Sequence, residues 1–403
     1  MPRTAPQPLL SSGKPVDWWF VFKLNSAEEP GDPKPSGLNG LFDVAGWKRP
    51  DYESNGKKFS QHFLFASQAE PTLQYGQGIL GTSLDDPVGA TFGQVYDGDF
   101  FYVVWNDQFY GDPRDNGDSP WGHSKGMVAW NEAGEGLVLQ VSTPSWPASG
   151  SRQHPRKTDG NTLGFVSDDD IEVSQHFFSL KLTHDDLLQV LAAMGNASVV
   201  TAPDKLQAVR NGGPADVQAL VGKLGIKSHS TACTLAPLSS GARLISKPSR
   251  LAVPPWQLVS AKLGGVDLRV ASWWARPKIY SMEKGSELLT CWDDSLGASG
   301  TVEIATTGTW GKISLGLEGG LGRNYNHAKF GVSTSPGDTL SIFGDMNQQG
   351  ALAPGYSYAK QKCSSSQNGR GGMFYVLDDK ALWQSISALL AGASAPTTRP
   401  SKD

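Results

Sequence analysis

The sequence predicts an α/β (α+β) protein of two similar sheet-and-helix halves that deliver their functional residues to one shared site. Three observations carry this. His123-Ser124-Lys125 and His327-Ala328-Lys329 each run into an apolar stretch, and they lie 204 residues apart (327 − 123) in a chain of 403. With 7 His and 35 basic residues, chance gives about 0.6 His-x-basic triplets (7 × 35/403), yet three occur; the third, His154-Pro155-Arg156, is placed in a loop by its proline. Finally, 47 Gly and 26 Pro imply many turns between short strands, while two stretches keep a helical stripe of leucines.

A chain of this length exceeds one ordinary core, and 38% hydrophobic residues with 13 Trp supply a large interior. The expected organisation is a flexible N-terminus over 1–14, a first half over 15–205, a second half over 206–391 and a disordered tail over 392–403. Cys233, Cys291 and Cys363 are odd in number and far apart, so neither a disulfide framework nor a thiolate metal site is expected. No apolar run approaches the roughly 18 residues of a membrane span. Met1 to Lys14 lacks the apolar core of a signal peptide, so a cytoplasmic location is the default expectation unless a leader was trimmed. Net charge is −4 with His neutral, which argues against a broadly basic nucleic-acid binder at neutral pH. Protonating all seven His would bring it to +3 (−4 + 7).

In chain order, Val16 to Leu24 reads as a buried strand, Asn25 to Gly56 as loop, and Phe100 to Asn106 as a second strand. The first His-Lys motif leads into Met127 to Trp130, and Leu137 to Val141 pairs back as a hairpin. Ser149 to Asn161 reads as a surface loop, and Asp168, Asp169, Asp170 and Glu172 as a solvated acidic loop rather than a metal site. Thr183-x-x-Asp186 is a capping box opening a helix with Leu187, Leu188 and Leu191 on one stripe, closed at Gly195. Gly195 to Ala215 is the expected join. Beyond it, Trp256 to Val270, Lys312 to Leu317, Phe330 to Val332, Thr339 to Phe343 and Met373 to Leu377 read as strands, and Asp379 to Ala391 as a helix with Leu382, Ile386, Leu389 and Leu390 inward.

The chemistry follows from the residue types. In an extended triplet the first and third side chains leave one face roughly 7 Å apart. Two such pairs supply a nucleophile, a proton for a leaving oxygen and positive charge for phosphate oxygens, so no metal or other cofactor is expected. His62, His176, His184 and His229 have no basic residue at the third position and read as surface or satisfied core residues. Trp18, Trp19, Trp273 and Trp274 could stack on bases, but doublets in apolar runs are more often core. Arg152, Arg156, Lys157 and Arg323 are candidate phosphate contacts, and Asn106 and Asp107 either border the site or end a strand.

Pro15-Val16-Asp17-Trp18-Trp19-Phe20-Val21-Phe22-Lys23-Leu24 resembles the opening strand of the deoxyribonuclease II family. Trp105-Asn106-Asp107-Gln108, Gly122-His123-Ser124-Lys125-Gly126, His327-Ala328-Lys329, Gly344-Asp345-Met346-Asn347, Arg370-Gly371-Gly372 and Ala381-Leu382-Trp383 resemble its further blocks, in order. The resemblance implies a phospholipase D-like duplicated fold. It also implies metal-independent acid hydrolysis of double-stranded DNA to 3′-phosphate and 5′-hydroxyl ends, with His123 the nucleophile by analogy. On it rest the assignments of His123, Lys125, His327, Lys329, Asn347 and Ser145 as catalytic, and of Arg323, Asp345 and Asn106 as substrate-binding. Ser145 stands where the first half's counterpart of Asn347 would be. The chain departs from phospholipase D proteins at Trp130 and Thr334, where those carry an Asp five residues after the Lys. It lacks the cysteine richness of animal members and so resembles a bacterial-type relative. A homodimer is compatible with this reading. Two other readings keep the fold: a phosphodiesterase for a non-nucleic-acid substrate, set aside because no amphipathic membrane-binding stretch is evident, and a non-catalytic DNA-binding relative.

Overall fold

The computed structural model describes residues 3–25, 62–77, 80, 84–108, 119–144, 173–320, 322–355 and 362–397. In the first part of the chain run β1 (Trp18–Lys23), β2 (Phe63–Ser67), β3 (Gln74–Tyr75), α1 (Pro87–Tyr96), β4 (Phe101–Asn106), β5 (Lys125–Trp130) and β6 (Gly136–Val141). There follow β7 (Gln175–Leu182), α2 (His184–Ala197), β8 (Val209–Arg210) and α3 (Ala215–Val221). The second part holds β9 (Thr234–Pro237), β10 (Arg243–Lys247), α4 (Pro255–Lys262), β11 (Leu268–Ala271), β12 (Val302–Ile304), β13 (Thr307–Trp310) and β14 (Ile313–Gly316). It closes with β15 (Phe330–Ser333), β16 (Leu340–Gly344), β17 (Gly372–Asp378) and α5 (Lys380–Leu389). The fold is α+β.

Two large sheets carry the molecule. One has the order β3-β2-β1-β7-β6-β5-β4-β8 and the other β12-β11-β15-β16-β17-β10-β9. Read from opposite ends, β2-β1-β7-β6-β5-β4 and β9-β10-β17-β16-β15-β11 correspond strand for strand, and the registers correspond too. Lys125 lies opposite Val141; the β15–β16 register, extended one step by the hydrogen bond from Gly344 N to Lys329 O, puts Lys329 opposite Gly344. Lys23 lies opposite Gln175, and Lys247 opposite Gly372.

Period-two alternation sorts side chains to the two faces of each sheet. On β1, Phe20 and Phe22 enter a central core while Trp19 and Val21 face a separate cluster with Val88 and Phe92 of α1. The central core joins the sheets: Phe178 stacks on Phe343 at 4.6 Å, and Phe20 lies 4.7 Å from Phe343. Each fully buried Phe contributes about 2–3 kcal/mol by area. Leu187 and Leu191 of α2 and Leu382, Ile386 and Leu389 of α5 complete this core, and α4 covers the outer face of the second sheet.

Several expectations change. The stretch from Trp256 is helical up to Lys262, and only Leu268–Ala271 is strand. Pro255 starts α4, and Pro255 to Ala261 are all buried, so no polar stripe betrays the helix. The N-terminal segment is not loose: Leu9 N donates to Thr91 Oγ1 at 2.9 Å and Gln94 Nε2 to Gln7 O at 2.6 Å. In the tail, Ala395 is buried and its N donates to Ile304 O at 2.8 Å, while residues 398–403 lie outside the described set. Cys291 and Cys363 form a disulfide across 72 residues, and Cys233 is free. The pairing carries no local spacing signal because the fold alone brings the two loops together. The loops over Ser149 to Asn161 and Asp168 to Glu172 lie outside the described residues.

Candidate active site

The two motifs meet where the sheets adjoin. The strand pleat separates each triplet as expected: Ser124 Oγ accepts from the core indole of Trp105 at 3.0 Å and Ala328 packs in the central core, so each His and Lys leaves by the other face. Gly122 and Gly371 make room for the first motif. A Cβ on either would stand 2.6 or 2.1 Å from the Ala197 carbonyl oxygen at the end of α2.

The two parts of the chain hold each other's histidine. His123 Nδ1 bonds the carbonyl oxygen of Asp345, just past β16, while His327 Nδ1 bonds that of Ser142, just past β6, at 2.8 Å. Their backbones cross in the same way: His123 N donates to Gly371 O and His327 N to Ser174 O, both at 2.8 Å. A carbonyl only accepts, so Nδ1 carries the proton in each ring and Nε2 presents a lone pair. Lys329 Nζ lies 3.0 Å from His327 Nδ1 and 3.4 Å from Nε2; with Nδ1 protonated toward the closer Ser142 carbonyl, only the Nε2 lone pair can accept from it.

Asp345 sits at the centre. Its carboxylate is 3.4 Å from Lys125 Nζ, 3.6 Å from Lys329 Nζ and 4.0 Å from His123 Nδ1. The residue is fully buried, and burial outweighs the two ammonium groups, pushing its carboxyl up to about 6. Asp107 takes the opposite course. Burial would raise it, but Lys125 at 2.7 Å, His123 and Arg370 at 2.7 Å hold it well below the usual carboxylate range. Arg370 also donates to the carbonyls of Trp121 at 3.0 Å and Gly122 at 2.9 Å, fixing the entry to the first motif.

Both imidazoles are held well below their ordinary pKa, first by burial and then by the adjacent lysine. Their surroundings differ beyond that. Lys125, Arg370 and Lys329 act against a charge on His123 and Asp107 acts for it, whereas Lys329, Lys125 and His123 act against a charge on His327 and only its bond to Ser142 acts for it. Trp273 instead lies edge-on to His327 at 4.7 Å. The third buried ring, His176, accepts from Lys329 N at 3.1 Å and packs on Phe20; it is a core histidine, but its Nε2 has no hydrogen-bond partner among the described residues, so it is not the fully satisfied one expected. Burial lowers its pKa as well, so the seven positive charges anticipated in acid are not all available to the free protein.

The other candidates are placed as follows. Asn347 is buried; its Nδ2 donates to Gln349 Oε1 at 2.8 Å and its Oδ1 has no hydrogen-bond partner among the described residues. Asn106 ends β4, and its Oδ1 accepts from Gln108 N at 2.8 Å. Arg323 is exposed ahead of the second motif. Ser145, Arg152, Arg156 and Lys157 lie outside the described residues. Sequence reasoning did not single out Arg370 or the carbonyls of Ser142 and Gly371. The Arg370-Gly371-Gly372 run was the available signal, since paired glycines mark close backbone approach.

Known proteins resemble this chain over most of its length. The family model for deoxyribonuclease II matches residues 45–394. The chain is 24% identical over 387 residues to cell-death-related nuclease 7 of Caenorhabditis elegans, across 92% of this chain and 83% of that protein. It is 31% identical over 164 residues to deoxyribonuclease-2-alpha of Sus scrofa, across 39% of this chain and 38% of that protein. A similar match, 30% over 164 residues, joins it to deoxyribonuclease-2-alpha of Rattus norvegicus, covering 40% of that protein.

Proposed function

Because the chain belongs to the deoxyribonuclease II family, a family of hydrolytic nucleases, we propose that it cleaves DNA phosphodiesters at the His123, Lys125, His327, Lys329 cluster, without a divalent metal and best in acid. The observation that carries this reading is the reciprocal hold on the two histidines around Asp345. It turns both Nε2 atoms into bases beside two ammonium groups that neutralise phosphate oxygens, the charge that metal ions provide in other nucleases.

One Nε2 attacks phosphorus as the O5′ bond breaks, and the other ring, as imidazolium, gives its proton to O5′. The 3′-phosphoryl group is then carried on histidine. Water attacks that phosphorus, losing its proton to the second ring, and the 3′-phosphate leaves. The surroundings distribute the roles. An imidazolium is stabilised by a carboxylate, and Asp107 acts on His123 amid its cations, whereas among the main charges acting on His327 all are cations. We therefore assign His123 as the general acid and His327 as the nucleophile, the reverse of the assignment by analogy. Asn347, buried just past the end of β16, is a candidate donor to the phosphoryl group.

Acid favours the reaction because the free site resists imidazolium, and one ring must nevertheless be charged. The test is digestion of plasmid DNA near pH 5 in EDTA, with end-group analysis. Expected are 3′-phosphate ends, and a loss of about 10³-fold or more in His123→Asn and His327→Asn. Cleavage that disappears in EDTA and returns with magnesium would overturn the metal-independent reading.

A further inference from the structure

Trp273 and Trp274 follow β11, and their environments diverge. Trp274 is core: it is 4% exposed, its Nε1 donates to Ile279 O at 2.6 Å, and Lys278 Nζ lies 3.9 Å above its ring. Trp273 is only half-buried, sets its edge against His327, and its indole N–H has no partner among the described residues. A second aromatic, Tyr325, stands two residues before His327 and is 39% exposed.

Two consecutive glycines lie against these rings. A Cβ on Gly319 would stand 2.9 Å from Trp273 Cδ2, and one on Gly320 would stand 2.6 Å from the ring of Tyr325. The chain is held there by Asn326 N donating to Glu318 O at 2.8 Å. Bare backbone therefore backs two partly exposed aromatic rings at one edge of the catalytic cluster. Arg276 and Arg323, both exposed, lie on the same two loops.

We infer that Trp273, Gly319, Gly320 and Tyr325 form a nucleobase subsite, in which the base next to the scissile phosphate on the His327 side is held against aromatic surface. This rests on the proposed nuclease reading and adds to it a preference. Aromatic stacking favours large, unpaired bases, since every base offers a π-face but purines offer more of it, and a base must leave its duplex stack to be held. The first motif's counterpart of Trp273 is a charged residue, Asp107. Among the described residues, that position of the first half-site therefore offers no matching aromatic surface.

The test sequences the new ends made from random-sequence single-stranded and duplex DNA by wild type, Tyr325→Ala, Trp273→Phe and Trp273→Leu. Wild type is expected to show a purine bias at one position beside the cut, and faster cleavage where that base is mismatched. Tyr325→Ala and Trp273→Leu should flatten the bias and raise KM on the order of tenfold, while Trp273→Phe retains much of both. Tyr325 is the cleaner probe because it has no contact with His327 among the described residues. A fall in kcat with the bias unchanged in Trp273→Leu and Tyr325→Ala would mean that the rings only brace the site, and would overturn the subsite alone. Cleavage persisting in His327→Asn would instead overturn the nuclease site itself.

Discussion

The half-site around His123 and the half-site around His327 share strand order and register but differ in chemistry. Asn106 is opposite Lys125 in the β4–β5 register, and continuing the β11–β15 register puts Ser272 opposite Lys329. The next residues are therefore counterparts: Asp107 in one half, Trp273 in the other. Asp107 draws in Lys125 and Arg370 and builds a closed ion network, whereas Trp273 supplies an uncharged wall. Matching strand registers thus carry both His-Lys pairs to the site, and on the reading proposed above the non-matching residue at the strand end sets which imidazole carries the proton.

The sharpest way to break this comparison separates the two histidines by leaving group. A thymidine 3′-(4-nitrophenyl phosphate) expels an anion that needs no proton. If His123 is the acid, His123→Asn should lose about 10³-fold or more on DNA but recover a rapid single-turnover burst of nitrophenolate on the activated ester, its later steady rate staying slow because the phosphohistidine still lacks the base. His327→Asn should be equally inactive on both. Recovery in His327→Asn instead of His123→Asn would reverse the assignment, and recovery in neither would leave both rings acting as bases.

A second contrast concerns stability. Asp107 is fully buried between Lys125 and Arg370, so Asp107→Asn leaves two buried cations short of a carboxylate and should cost roughly 3–5 kcal/mol. Trp273→Leu at the corresponding position removes a half-buried ring and should cost no more than about 2 kcal/mol. Urea denaturation of both variants checks this. Equal losses would mean that Asp107 is held mainly by packing, as Trp273 is.

Much of this architecture was legible because the signals were local. Lys125 and Lys329 stand in repeated triplets before apolar strands, and Thr183 with Asp186 forms the capping box the spacing announced. What escaped was set by tertiary contact. α1 carries two glycines within ten residues, Gly89 and Gly93, and α4 is buried nearly all round, so neither shows a polar stripe. Asp107 reads equally as a strand end until Arg370, 263 residues away, is seen against it. The partners of the two histidines are backbone carbonyls, to which any residue type contributes alike.

The smallest expected effect is a linkage between anion binding and protons. Burial and the lysines depress His123 and His327, so below the unfolded-state pKa of about 6.5 the unfolded chain binds protons that these buried rings refuse. They therefore cost stability as pH falls, and His176 acts in the same direction. Asp345 has the opposite sign. Raised to about 6, it contributes stability fully below the ordinary carboxyl value of 3.8, and that contribution is lost as pH rises through about 6. The three buried rings oppose Asp345 and also His184, whose pKa is raised by its bond to Asp216. Solvent screens the partly exposed His184, so the rings should prevail, leaving the free protein less stable at pH 5 than at pH 7. An anion between Lys125 and Lys329 raises every neighbouring pKa and reverses the balance. Sulfate, which does not titrate in this range, is the suitable probe. Calorimetry near pH 5.5 in buffers of differing ionisation enthalpy should report uptake of about one proton per sulfate bound, and affinity should fall up to about tenfold per pH unit above that. His123→Asn should abolish most of the uptake and His327→Asn little of it, because the first ring has the nearby carboxylates. Uptake equal in both variants, or none in wild type, would remove the electrostatic distinction between the half-sites.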